Sequence, residues 1–252
     1  MVELTDGGEL RFDELRQAAV AHDRTSGSAT DERRPARSSV GMQGTHRQVR
    51  EGTNVTELLV DFITSLDGYG AADGWPGWWG LEGPEYLDWL GQQPEADHTI
   101  LLGATTYRLM SGFATNADTS SEASDEDEAT GALTTMPKVV FSSTLEEPLT
   151  WDNSRLVGGD AVEAVAEMKR DGAGSMRTMG SLSLCRSLLS AGLVDRFRVV
   201  VFPVITGQTG LDRIYDDFPD VTLDMVDSRT FDGGIQLLEY VPTVLTGPPG
   251  AS

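Results

Sequence analysis

The sequence predicts an α/β domain with a mostly parallel central sheet and an antiparallel C-terminal hairpin. Three observations carry this. Residues 176–210 read as strand, glycine-led turn, amphipathic helix and strand, which is a βαβ unit. Residues 99–110 repeat its first part, with an apolar strand, Gly103 and a helix start. Near the C-terminus, residues 222–228 and 235–241 alternate imperfectly around Asp232-Gly233-Gly234, the pattern of a hairpin.

Residues 1–54 read as an extension that is disordered or loosely attached. One short helix, 12–22, is plausible there, but the Gly- and Ser-rich stretch after it has little to bury. His22 and His46 have no ligand spacing around them, so no metal is expected. The folded domain spans 55–242. Residues 56–63 form a buried strand whose one interior acid is Asp61, and the strand runs into Ser65-Leu66-Asp67-Gly68, a turn signal.

Trp75, Trp78 and Trp79 follow among glycines, either as a local packing cluster or as a wall against a planar ligand. Residues 84–93 form a helix with Pro84 in its first turn. After the strand at 99–102, Thr105 or Thr106 can cap the next helix, which is expected to end near Met110. Residues 115–131 are acidic and lack the spacing of a calcium loop. Strands follow at 138–142 and 155–157, then a helix over 161–170 capped by Asp160. Residues 243–252 read as a tail.

In the opening βαβ unit the helix carries Leu182, Cys185, Leu188 and Leu189 on one face and stops at Gly192. Cys185 is therefore expected to be a buried, inert thiol. The helix start behind Gly180 offers free N–H groups and a positive dipole end to an anion. The loops at 65–70, 103–106, 142–144 and 180–183 all follow strands, and in a parallel sheet such loops converge on one crevice.

The chain carries 40 acids and 19 bases, a formal charge of −21. Residues 1–54 hold 9 of the acids and 8 of the bases, so the rest of the chain keeps 31 acids and 11 bases. That balance argues against nucleic acid or an anionic membrane as partner. A single cysteine leaves no internal disulfide, and no apolar run is long enough to span a bilayer. The expected location is the cytoplasm.

Four segments resemble one family: S-L-D-G at 65–68, A-D-H-T-I-L-L-G-A-T-T-Y at 96–107, V-V-F-S-S-T-L at 139–145, and the long stretch from Met179 to Gly207 containing G-L-V-D and P-V-I-T-G. Together they resemble the dihydrofolate reductase-like superfamily. Within it the likeness is to a stand-alone relative of the C-terminal reductase domain of the bifunctional riboflavin-biosynthesis deaminase–reductase. The deaminase signature, H-x-E with P-C-x-x-C, is not present in the sequence.

The resemblance implies a three-layer α/β/α fold and an NADPH-dependent reductase. Its implied reaction is hydride transfer to a C=N bond of a pterin-like or pyrimidine-like heterocycle, similar to that of dihydrofolate reductase or of the riboflavin-biosynthesis 5-amino-6-(5-phosphoribosylamino)uracil reductase. By position, Gly180, Ser181, Leu182 and Ser183 would hold the pyrophosphate, with Gly103 and Thr106 on the other side of the cofactor. Ser142 and Ser143 would lie near the adenosine end. Ser65, Asp67 and Gly68 would border the nicotinamide and substrate, with Trp75, Trp78 and Trp79 as the substrate wall. Asp67, Asp88 and Glu85 are the candidate proton donors. A homodimer is also implied.

Two positions depart from the family pattern. Ala104 and Ser143 stand where arginines serve the cofactor phosphates. NADH therefore stays open as the cofactor, and so does a non-catalytic nucleotide- or ligand-binding protein on the same fold.

Overall fold

The computed structural model describes residues 56–73, 79–92, 95–117 and 133–250. The expected 1–54 extension, most of the acidic 115–131 loop, Trp75 and Trp78 lie outside them. The strands are β1 (Leu58–Ser65), β2 (Tyr69–Ala72), β3 (Thr99–Gly103), β4 (Lys138–Phe141), β5 (Ser154–Val157), β6 (Met176–Thr178), β7 (Arg196–Phe202), β8 (Gly210–Arg213), β9 (Val221–Thr230) and β10 (Gln236–Val244). The helices are α1 (Pro84–Gly91), α2 (Ala104–Ala117), α3 (Ala161–Arg170) and α4 (Leu182–Ser190).

Eight strands form the main sheet in the order β5-β4-β3-β6-β1-β7-β10-β9. The first six are mutually parallel, and β10 and β9 close the edge antiparallel. The expected α/β architecture with its C-terminal hairpin is present.

Side-chain alternation along the central strands builds a layer on each face. On one face, Val60 and Phe62 of β1 and Leu101 of β3 pack with Val165 of α3 and with Leu184, Cys185, Leu188 and Leu189 of α4. On the other, Ile63, Val200 and Phe202 meet Tyr86 of α1, while Ile100, Leu102 and Val140 meet Tyr107 of α2. The one wholly buried lysine, Lys138, is satisfied by backbone: its Nζ donates to the carbonyls of Leu133, Thr134 and Met136 at 2.7–3.0 Å and sits over the Trp151 ring.

Several boundaries differ from expectation. β1 carries Thr64 and Ser65 inside the strand. α2 starts at Ala104 and continues to Ala117, so Thr105 and Thr106 fall within its first turn instead of capping it. β10 extends to Val244, and Leu245 N donates to Asp220 O, so chain expected as tail is paired. β7 pairing stops at Tyr240, which leaves one edge of β10 open where Pro242 lacks an N–H.

A second, two-stranded sheet pairs β2 with β8. Sequence reading misses it, because Tyr-Gly-Ala-Ala and Gly-Leu-Asp-Arg carry neither β-branched residues nor clear alternation.

Candidate functional site

Because β1, β3, β4, β6 and β7 are parallel, their last residues open onto the same edge of the sheet. The tightest junction there is Ser181. It links the start of α4 to the start of α2: its Oγ accepts the N–H of Gly103 at 2.7 Å and donates to Thr106 Oγ1 at 2.9 Å. Four residues singled out from the sequence, Gly103, Thr106, Gly180 and Ser181, thus meet at one point. A Cβ on Gly103 would stand 3.3 Å from Ser181 Oγ, so a larger residue would press on that hydroxyl.

Gly180 (φ +56°) and Ser181 (φ +66°, ψ +66°) are both left-handed. A serine in that region costs roughly 1–2 kcal/mol. Ser181 is the N-cap of α4, yet its side chain makes no capping bond. Its hydroxyl is committed elsewhere, so the leading N–H groups of α4, beginning at Leu182 and Ser183, carry no side-chain cap and keep their affinity for an anion. The next turn is sealed from below. The Cys185 thiol donates to Gly180 O at 3.0 Å, and burial pushes its pKa up to about 12, as its place in the core requires.

Asp67 organises the neighbouring loop. Its carboxylate accepts from Ser65 Oγ at 2.6 Å, from Gly207 N at 2.9 Å and from Thr206 N at 3.2 Å. The Ser65 bond, followed by these backbone donors, lowers its pKa to about 2. Ser65 Oγ in turn accepts from Tyr69 N at 3.0 Å. Gly68 (φ +89°) lies under Tyr215, whose ring leaves 3.1 Å for a Cβ. Asp67 therefore fastens the β1–β2 turn to the segment after β7.

At the end of β4, Ser142 Oγ accepts from Thr144 N and Leu145 N, both at 3.0 Å, and so shapes the loop. Ser143 is exposed. Arg108, on α2, donates from Nη2 to Thr144 Oγ1 at 3.3 Å. Sequence reading missed this arginine. Mid-helix it looks like an ordinary surface residue, and only the sheet order brings it to the β4 loop.

Near the ends of β1 and β7, Trp79 packs on Phe202 with ring centroids 5.5 Å apart, and its indole Nε1 is buried without a partner among the described residues. Tyr86 of α1 meets Phe202 and Phe231 edge-on. Glu85 Oε2 accepts from Asp232 N at 2.9 Å, which occupies that carboxylate in holding α1 to the hairpin turn. Asp88 is exposed.

The same face carries ion pairs that the sequence did not suggest. Arg198, almost fully buried, grips Asp61 through Nε (3.1 Å) and Nη2 (2.6 Å), and Glu95 through Nη1 (2.5 Å). Burial opposes its charge, but Asp61 and Glu95 outweigh that, and the guanidinium holds its proton more tightly than usual. The fork also lies 5.1 Å from the Trp89 ring centroid. Among the described residues, no group of three or more His, Cys, Asp or Glu could hold a metal, and no helix is long and apolar enough to cross a membrane.

Comparison with known proteins agrees with this fold. The family model described as the RibD C-terminal domain matches residues 56–237. An uncharacterised protein of Bacillus subtilis, YyaP, is 26% identical over 186 residues, covering 73% of this chain and 93% of YyaP. The structure of a putative riboflavin biosynthesis protein from Shewanella superposes with a TM-score of 0.56 at 18% identity, over 75% of this chain and 99% of that one. A diaminohydroxyphosphoribosylaminopyrimidine deaminase/5-amino-6-(5-phosphoribosylamino)uracil reductase from Thermotoga maritima superposes with a TM-score of 0.53 at 16% identity, over 75% of this chain and 57% of that one. These likenesses show a shared fold. With the family model spanning most of its length, this chain belongs to the RibD C-terminal domain family and has an α/β fold.

Proposed function

We propose that the protein is a reductase that uses a nicotinamide cofactor to deliver hydride to a C=N bond of a pterin-like or pyrimidine-like heterocycle. The observation that carries this is Ser181, whose hydroxyl is drawn away from capping α4 and leaves that helix start open to an anion. The backbone of Gly180, Ser181, Leu182 and Ser183 would hold the pyrophosphate. Gly103 and Thr106 would stand on its other side, and Ser142 and Ser143 near the adenosine. When bound, the nicotinamide supplies the hydride; the protein's task is to set the acceptor carbon about 3–3.5 Å from it and exclude water.

Ser65 and Gly68 would border that carbon, and Trp79, with Trp75 and Trp78, would wall the heterocycle. The Trp79 indole N–H, without a partner among the described residues, is a donor that a ring nitrogen or carbonyl can use. Of the three candidate carboxylates, Asp67 stays ionised at neutral pH and Glu85 already holds Asp232 N, so both act by positioning. We assign delivery of the proton on nitrogen to Asp88 or to solvent reached from α1.

Ala104 and Ser143 favour a second reading, in which the same crevice binds a nucleotide without turnover. The exposed edge strand β9, with Leu223, Met225 and Val226 uncovered, supports the expected homodimer through pairing with a second copy of itself. We place the protein in the cytoplasm.

Titration with NADPH and with NADH, followed by tryptophan fluorescence, tests the reading. Saturable quenching by either supports it. No binding of either at millimolar concentration, at low and at high salt, sinks it. Consumption of NAD(P)H with a pterin or pyrimidine acceptor separates the reductase from the binding protein.

A further inference from the structure

We propose that Arg177 is an anion-binding residue, and that the molecule it receives is a planar heterocycle carrying one ionised carboxyl group. As an account of the substrate, the proposal rests on the reductase reading above.

Arg177 is a buried cation without an oxygen to donate to. Its side chain is 17% exposed, and its Nε is buried with no partner among the described residues. The one carboxylate paired with it, Glu95, stands 3.6 Å away, beyond hydrogen-bond reach. The one hydrogen bond of its guanidinium among those residues runs from Nη2 to the thioether of Met136 at 3.9 Å. A guanidinium has five N–H donors, and a weak sulfur acceptor does not replace the water that burial removes.

The shortfall is particular to Arg177. Its neighbour Arg198 binds all four oxygens of Asp61 and Glu95, at 2.5–3.1 Å. Burial works against both arginines. At Arg198 the two carboxylates outweigh it, and the proton is held more tightly than in an ordinary arginine. At Arg177 they do not, Arg198 adds repulsion, and the proton is held less tightly. Two carboxylates shared between two arginines would satisfy both. Here one arginine takes both, and the other keeps donors for an acceptor from outside.

Place agrees with this. Arg177 is the middle residue of β6, paired with Leu59 of β1 and Ile100 of β3. β6 ends one residue later, at Thr178, while its flanking strands run on to Ser65 and Gly103. The short central strand thus carries Arg177 towards the edge at which the strand ends open. Its contact with Met136 sets it on the sheet face that Ile100 shares with Tyr107 of α2.

The surroundings define the anion. Arg177, Arg198, Asp61 and Glu95 sum to zero charge, so the site offers donors without surplus positive charge. A monoanion suits it better than a dianionic phosphate, the more so in a chain of charge −21. The Met136 thioether lies against the guanidinium, and the Trp89 ring, stacked on Tyr86, lies 5.1 Å from Arg198. Such groups suit a flat ring, and an arginine fork matches the two oxygens of a carboxylate.

The experiment uses the full chain and three probes at fixed ionic strength: benzoate, its neutral isostere benzamide, and inorganic phosphate. Affinities are read by calorimetry or tryptophan quenching. No nicotinamide is present, so the outcome is independent of the cofactor titration. The wild type is expected to bind benzoate at least about tenfold tighter than benzamide, as charge-assisted bonds give, and phosphate more weakly than benzoate. Arg177→Met should bring benzoate down to the affinity of benzamide. Arg177→Lys, which keeps the charge and loses the fork, should retain part of the preference. Because Arg177 is poorly paired, Arg177→Met should melt no lower than wild type.

Equal or absent wild-type binding of benzoate and benzamide overturns the proposal and leaves the reductase reading standing. A benzoate preference that survives in Arg177→Met also overturns it, and with a lowered melting temperature makes Arg177 a structural cation. Phosphate bound as tightly as benzoate overturns the assignment to a carboxylate. The expected benzoate preference, with no binding of NADPH or NADH in the separate titration, supports the anion site and removes the reductase reading.

Discussion

The hydroxyl of Ser181 accepts the backbone N–H of Gly103 at 2.7 Å, across 78 positions of sequence. This bond joins the turns after β3 and β6 and fixes the spacing of two helix starts. Ser181→Ala leaves Gly103 N–H without its partner and should lower stability by about 1–3 kcal/mol. Ser181→Gly relieves the left-handed strain and should recover about 1 kcal/mol of that, without restoring the bond. Both should weaken cofactor binding. Urea denaturation and cofactor titration of the two variants check the stability order and the shared loss of affinity.

Arg198 is buried between Asp61 and Glu95. Arg198→Ala strands Asp61 on a covered sheet face, leaves Glu95 to Arg177 at 3.6 Å, and is expected to cost about 3–5 kcal/mol. Asp61→Asn/Arg198→Met should cost less than the single arginine loss, because fewer charges stay unpaired. A chemical denaturation series decides this, and a single-mutant loss below about 1 kcal/mol would contradict it.

Asp67 sets an acid limit. Its folded pKa, about 2, lies below the ordinary 3.8, so its contribution is fully present above the ordinary value and is lost as pH falls from about 4 towards 2. Asp67→Asn should be less stable than wild type at neutral pH, and the difference should shrink through that window. Melting temperatures from pH 7 to 2 give the measurement. A gap that stays constant would remove the ionised carboxylate from the explanation.

Much of the fold was legible because its carriers are local. Asp160 announces its helix and caps it through bonds to Val162 N and Glu163 N. Residues 184, 185, 188 and 189 bury the face of α4, one position different from the expected set, in which Leu182 stood where Leu184 does. Gly103, Thr106, Gly180 and Ser181 could each be named because each follows a strand.

What could not be read depends on sheet order. Nothing in the sequence places Arg108 beside Thr144, or Arg198 against both Asp61 and Glu95, since those contacts form only when β3 lies next to β4 and β1 next to β7. Asp67 and Glu85 show the complementary limit. A carboxylate in a loop or on a helix reads as a candidate acid, and only its donors reveal that its lone pairs are taken.

The central claim is that α4 begins at an anion site gripped through Gly180. Gly180 is left-handed, a conformation Asn and Asp both tolerate better than other side chains, so a matched pair of variants isolates charge from backbone strain. Calorimetric titration of Gly180→Asn and Gly180→Asp with the nicotinamide cofactor is the most direct measurement. The account predicts that Gly180→Asn keeps most of the wild-type affinity while Gly180→Asp loses at least about tenfold, as a like charge beside the pyrophosphate requires. Equal affinities for the two variants would contradict it and move the cofactor away from α4.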